Sequence, residues 1–254
     1  MSLFQFWLLG SIIYIFNTYA SSGKLNMFII LFQAIVLYLI SEYLHRSLSY
    51  GSKTLYVILM LPGTIVHELS HAVVALLMGA RITKFSVIPS GDTLGHVEYT
   101  APKLPLIGNA AISIAPLIGC PAILLLMSGY FGAHFDFPPG SFDIFAEIRF
   151  LLYGAFSFIT GLDYLNWKTY VFLYFALTLG AGAAPSKTDI TSMIPGLISI
   201  VAAIYALNYF GVNILYLYNV FSWLSAALTV AIIPLLAVTV MVAMLNLIAA
   251  VRST

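Results

Sequence analysis

The chain has 254 residues, of which 61% are hydrophobic and only 7% charged, with a formal net charge of +1. A soluble domain carries about 25% charged residues, so the composition excludes an ordinary water-soluble fold, and the near-zero net charge offers no basic surface for nucleic acid. The single cysteine, Cys120, lies in an apolar run, which excludes an intrachain disulfide and reads as a small core residue.

The composition predicts an all-α polytopic membrane protein, a single membrane domain over 1–254 built as a bundle of about eight (six to eight) transmembrane helices. A first span over 3–19 is preceded by no Lys or Arg, and the first basic residue is Lys24. It lacks the basic n-region of a signal peptide and reads as a retained span. A second span over 25–44 ends in Glu42, His45 and Arg46. A carboxylate–histidine metal site between helices would need a second such pair, so these residues read as a solvated interface.

The third span, 54–78, contains His67-Glu68-Leu-Ser-His71. Residues four apart on a helix share a face, so the two imidazoles suit two ligands of one zinc ion, with Glu68 beside them as general base. His67 lies thirteen residues past Thr54, roughly 20 Å along a helix, well inside the hydrocarbon. Polar side chains at that depth are costly and mark function; a structural polar cluster is the competing reading. Pro62-Gly63, one turn earlier, predicts a kink or opening.

Residues 81–100 read as a β-hairpin lying against or dipping into the membrane, with strands over 82–88 and 94–100 around a Pro89-Ser-Gly-Asp92 turn. A free edge can accept an added peptide strand, and Val87 and Val97 are the strand positions assigned to substrate contact. A plain surface loop is the alternative. The fourth span, 104–130, is dense in small residues that let helices approach closely; Asn109 within it is a candidate for bonding a ligand or a neighbouring backbone. His134, Asp136, Asp143 and Glu147 read as solvated loop residues. A fifth span over 148–160 begins near Arg149, and Asp163 to Lys168 form an interfacial loop. Spans six (169–184) and seven (190–210) flank a Gly180-to-Asp189 interruption, the form of a broken helix lining a cavity. Thr188 or Asp189 would cap the helix that follows. Residues 213–250 carry no charge and are too long for one crossing. They divide into an interfacial part ending near Trp223 and a final span kinked at Pro234. Five basic residues fall on each side, so charge assigns no orientation.

A catalytic zinc keeps three protein ligands and one open position. Val74 and Leu77 rule out the extended motif with a third His. Asp189, where two apolar spans meet, is the preferred third ligand; Asp163 and Glu98 are the alternatives. Thr64, Ser70, Ser186 and Thr188 are candidates to line a water path.

An H-E-x-x-H inside a span, then a hairpin, a small-residue span and Pro185-x-x-x-Asp189 resembles the site-2 protease family of zinc intramembrane proteases. The likeness covers about 54–200, the expected catalytic core. That family places a glycine after its third-ligand Asp and an Asn-Pro element before it; here Ile190 follows and only Pro185 precedes. The resemblance implies one Zn2+ per chain on His67, His71 and Asp189, and catalysis by Glu68. The implied partners are a lipid bilayer and a membrane-protein substrate cut in or near its transmembrane segment, with no nucleic acid. It also implies an extracytosolic amino terminus. The rival readings are a non-proteolytic membrane binding protein or transporter with a structural or transported metal, and a protease of soluble peptides.

Overall fold

A computed structural model describes residues 27–49, 53–87, 95–132, 144–209 and 215–252. Within them the chain forms seven helices and one two-stranded sheet, in the order α1 (Met27–Ser49), α2 (Lys53–Leu77), β1 (Ile82–Ser86), β2 (His96–Tyr99), α3 (Pro105–Phe131), α4 (Ile144–Thr160), α5 (Trp167–Ala183), α6 (Lys187–Tyr209) and α7 (Leu215–Arg252). Eight helices are therefore not reached among the described residues, and the expected span over 3–19 lies outside them. Among the described residues, three helices hold stretches long and apolar enough to cross a membrane: Tyr56–Leu77, Pro105–Phe131 and Leu224–Met244. The helices α4 and α5 have 17 residues each, about 25 Å at the helical rise, short of a hydrocarbon core of roughly 30 Å.

Helix ends follow local chemistry. Pro105 opens α3, where a missing N–H costs nothing. Gly132 closes it with φ 73°, its N–H bonded to the Ser128 carbonyl. Asn166 caps α5 by accepting the Lys168 N–H at 3.0 Å. The expected break between two apolar runs is present at Ala184-Pro185-Ser186, between α5 and α6. The helix α2 runs unbroken through Pro62, and α7 is one helix of 38 residues that passes Trp223 and Pro234 without interruption. A proline removes one hydrogen bond from the ladder, and packing on both sides carries the helix across that gap.

The strands β1 and β2 pair antiparallel, with Phe85 opposite Val97 and Ser86 opposite His96, and a bulge between Ile82 and Lys84. Both strands pack on α2. They are shorter than 82–88 and 94–100, and the turn falls outside the described residues. The main core joins Leu37 of α1, Leu124 of α3, Phe172 and Leu179 of α5, and Leu228 and Ile232 of α7. The helix α2 lies against α3 and α5, and α3 lies against α6; α1 and α4 pack on α7.

Glu147 corrects the expectation of a solvated loop. The helix α4 starts at Ile144, earlier than the 148 expected, and this places Glu147 in its first turn, 2% exposed. Gln33 of α1, also fully buried, donates from Nε2 to Glu147 Oε1 at 2.8 Å and to Thr229 Oγ1 of α7 at 3.1 Å. One amide thus ties three helices together. Arg149, two residues on, is exposed.

Removing a partner from a buried polar group costs about 1–2 kcal/mol. Glu147→Ala should lower the unfolding free energy in detergent by about that amount, while Glu147→Gln keeps most of it. Equal unfolding of Glu147→Ala and wild type would show that this clasp contributes nothing.

Candidate metal centre

The site begins with a close crossing of α2 and α5. A Cβ on Gly63 would strike the carbonyl of Thr178, and one on Gly182 would lie 2.8 Å from the Gly63 carbonyl oxygen. Glycine at both positions lets the two backbones touch, as small residues do in membrane bundles. Four residues beyond Gly63 comes His67, which therefore faces the carboxyl end of α5.

Its Nδ1 lies 2.6 Å from the Gly182 carbonyl oxygen. That carbonyl belongs to the last turn of α5, where no further turn supplies a donor; the N–H of Ser186, four residues on, is bonded to Asp189 instead. His71 Nδ1 lies 2.8 Å from the Ile112 carbonyl oxygen of α3. This carbonyl is free because residue 116, its normal helical donor, is a proline. Two interruptions of the helical ladder thus supply the acceptors for the two histidines.

A carbonyl accepts only, so both Nδ1 atoms carry the hydrogen and both Nε2 atoms present lone pairs. The two Nε2 atoms are 3.0 Å apart. Asp189 brings Oδ1 to 3.2 Å from His71 Nε2 and Oδ2 to 3.6 Å from His67 Nε2. Ligand atoms about 2.0–2.1 Å from a tetrahedral ion lie roughly 3.3 Å from one another. The three side chains match that spacing, and with each neutral ring carrying its hydrogen on Nδ1 their lone pairs converge. A cation between them removes the repulsion, so the residues fit a metal; among the described residues this is the His/Asp group that could hold one. Nitrogen and carboxylate donors suit a first-row divalent ion.

Glu68 follows His67 on α2 and is 6% exposed. It lies directly beneath the start of β2. A Cβ on Gly95 would come 2.8 Å from Glu68 Cγ and 2.9 Å from Oε1, so glycine is what lets the hairpin backbone cover this carboxylate. At the other end of β2, burial and then the charge of Asp189 push the Tyr99 phenol up from its ordinary pKa.

The alternatives for third ligand stand elsewhere. Asp163 sits in an exposed loop, accepting the Leu165 N–H at 3.1 Å. Glu98 is exposed on β2, 3.5 Å from Lys84 Nζ. Asn109 is half-buried near the start of α3, Val97 half-buried on β2, and Val87 half-buried just beyond β1. The hydroxyls of Thr64 and Ser70 bond to carbonyls of their own helix, at Met60 and Val66, whereas Ser186 and Thr188 are exposed beside Asp189. Sequence reasoning passed over three contributors: Pro116, Gly95 and the hydrogen bonds of Ser186. Only the last had a readable signal, since Ser186 and Asp189 have the spacing of a capping box.

These observations define a multi-pass membrane protein in which two histidines of an H-E-x-x-H helix meet an aspartate from the start of a second helix in the interior. Residues 28–137, which carry His67, Glu68, His71 and the hairpin, match the family model described as Peptidase M50B-like, the site-2 protease family. The match covers less than half of the chain and ends before Asp189. No curated protein and no solved structure matches the chain.

Gly63→Ala tests the crossing that presents α5 to His67. The added methyl meets the Thr178 carbonyl and must force the helices apart, an overpacking cost of about 1–3 kcal/mol. Thermal unfolding in detergent should register that loss; an unaltered melting curve would show that the two backbones have room to spare.

Proposed function

We propose that the chain is a zinc-dependent intramembrane endopeptidase, which hydrolyses a peptide bond in or near a transmembrane segment of a membrane-protein substrate. The observation that carries this reading is the convergence of three lone-pair donors beside a buried glutamate. One zinc ion per chain would be held by His67 Nε2, His71 Nε2 and the Asp189 carboxylate. When bound, zinc supplies a Lewis acid that acidifies water and polarises a carbonyl.

The remaining work falls to the side chains. The Glu68 carboxylate would take the proton of the attacking water and hand it to the leaving amine. Its burial under the Gly95 backbone excludes bulk water from the carboxylate, where a base gains most from a dry site. The hydrogen bonds from both Nδ1 atoms would fix the ring orientations, and hydrogen-bonded ligands of this kind hold a metal more firmly than free ones.

A substrate helix hides its carbonyls in its own hydrogen bonds, so its chain must unwind before cleavage. Strand addition to an edge of the β1–β2 sheet would hold it extended, with Val87 and Val97 against its side chains and Asn109 as a hydrogen-bonding partner.

The test is metal content and cleavage measured on the same purified full-length chain. Wild type should hold about one zinc, and His67→Ala and Asp189→Ala should lose it. Glu68→Gln should keep the zinc and cut a reporter peptide with one apolar span, in liposomes, about 10²- to 10⁴-fold more slowly. Wild-type cleavage by Glu68→Gln would overturn the mechanism. Zinc held by a wild type that cleaves no spanning peptide would favour the non-proteolytic metal-binding reading.

A further inference from the structure

The two oxygens of the Asp189 carboxylate are not equivalent. Oδ2 accepts the Ser186 N–H at 2.8 Å and the Ser186 hydroxyl at 2.6 Å. The Ser186 oxygen in turn accepts the Asp189 N–H at 3.1 Å. This is a reciprocal capping box: Ser186 is the cap of α6 and Asp189 stands three residues into it. In the ordinary box the carboxylate only closes the helix end. Here the same carboxylate also faces the two histidines: Oδ1 lies 3.2 Å from His71 Nε2, and the capped Oδ2 lies 3.6 Å from His67 Nε2. Both hydrogen bonds from Ser186 fall on Oδ2 and leave Oδ1 with its lone pairs free of the cap.

We infer that Ser186 is a positioning residue for the metal centre: by holding Oδ2 it fixes the Asp189 rotamer in which the carboxylate faces His67 and His71, with Oδ1 left free of the cap. The inference rests on the proposed reading of Asp189 as third ligand. It makes the start of α6 and the geometry of the centre one four-residue unit, Ser186-Lys187-Thr188-Asp189. The unit sits directly after Pro185, which stops α5 and fixes the backbone entering the cap. Without the Ser186 hydroxyl, Asp189 keeps one hydrogen bond from the Ser186 N–H and regains freedom to turn, and both of its oxygens become available to the ion.

Ser186 is exposed, so replacing it opens no cavity in the core. The decisive measurement is zinc affinity of the metal-free, full-length protein in detergent, by competition with a chelator. Ser186→Ala should bind zinc about 10- to 100-fold more weakly, the usual loss when an outer partner of a ligand is removed. Ser186→Thr, which keeps a hydroxyl at the cap, should restore wild-type affinity. Asn166→Ala removes the cap of α5, away from the centre. It should lower thermal stability as Ser186→Ala does and leave zinc affinity unchanged. Cobalt(II) in place of zinc provides a second readout: its visible bands should weaken in Ser186→Ala as coordination by both oxygens raises the ligand number.

Wild-type affinity and an unchanged cobalt spectrum in Ser186→Ala would overturn the inference while the endopeptidase reading stands. Equal losses of affinity in Ser186→Ala and Asn166→Ala would reduce Ser186 to a helix cap and also overturn it. Zinc bound at wild-type strength by Asp189→Ala would remove Asp189 from the centre, and with it this role for Ser186.

Discussion

Every polar atom inside an apolar bundle needs a partner from within the protein, and this requirement organises the molecule. A helix satisfies its own backbone and so has nothing to offer a neighbouring side chain. The two histidines are held where that self-sufficiency fails. Pro116 withholds an N–H and frees the Ile112 carbonyl for His71. The end of α5 frees the Gly182 carbonyl for His67. Each imidazole is therefore fixed in one tautomer by a break in the ladder, and the same two bonds turn both Nε2 atoms toward Asp189. A continuous α3 and a continuous α5–α6 would leave the histidines with no acceptors.

Close approach is the second condition. A carbonyl on one helix reaches a side chain on another only if the backbones come near. At the α2–α5 crossing, Gly63 and Gly182 make the contact, and at the α2–α3 crossing Gly119 lies against Ser70. Of these, the sequence assigns only Gly119 to packing; Gly63 and Gly182, read there as a kink and a helix break, set the distances of the polar centre as well. Packing and site geometry are one property of this bundle, because the His67 and His71 bonds are bonds between helices.

The parts of this arrangement that depend on local periodicity were legible in the sequence. His67, Glu68 and His71 had to lie within one turn of one helix, and the hairpin followed from its β-branched run and turn. Asp189 could be singled out because the Gly/Pro interruption before it has a form that helices do not otherwise take. What depended on register between distant segments was hidden. Glu147 was assigned to a loop because nothing in residues 144–147 marks the helix start, and Gln33, more than a hundred residues away, carries no motif. Apolar length alone does not count crossings, because an apolar run can be buried in protein as well as in lipid, and α4 and α5 are too short to separate the two. Gly95 gave no sign that it covers Glu68, since the contact joins a strand to a helix through the fold alone.

The depth of the centre also changes once α6 is in place. Counted along α2, His67 stands more than half-way through a span. Asp189, however, lies in the first turn of α6, and Ser186, Lys187 and Thr188 before it are exposed. A lysine two residues from the third side chain of the group places it about one helical turn, roughly 5 Å, from a polar boundary. The break between α5 and α6 therefore places three exposed residues within a helical turn of the third side chain of the group. The hairpin backbone at Gly95 closes over Glu68. The centre has a covered side, formed by β2, and an approachable side, formed by the start of α6. Water for a buried carboxylate would enter past Thr188 and Ser186, and an extended peptide would meet the covered side, where strand edges lie. On the proposed hydrolysis, that arrangement would give water and peptide different routes to one small polar group.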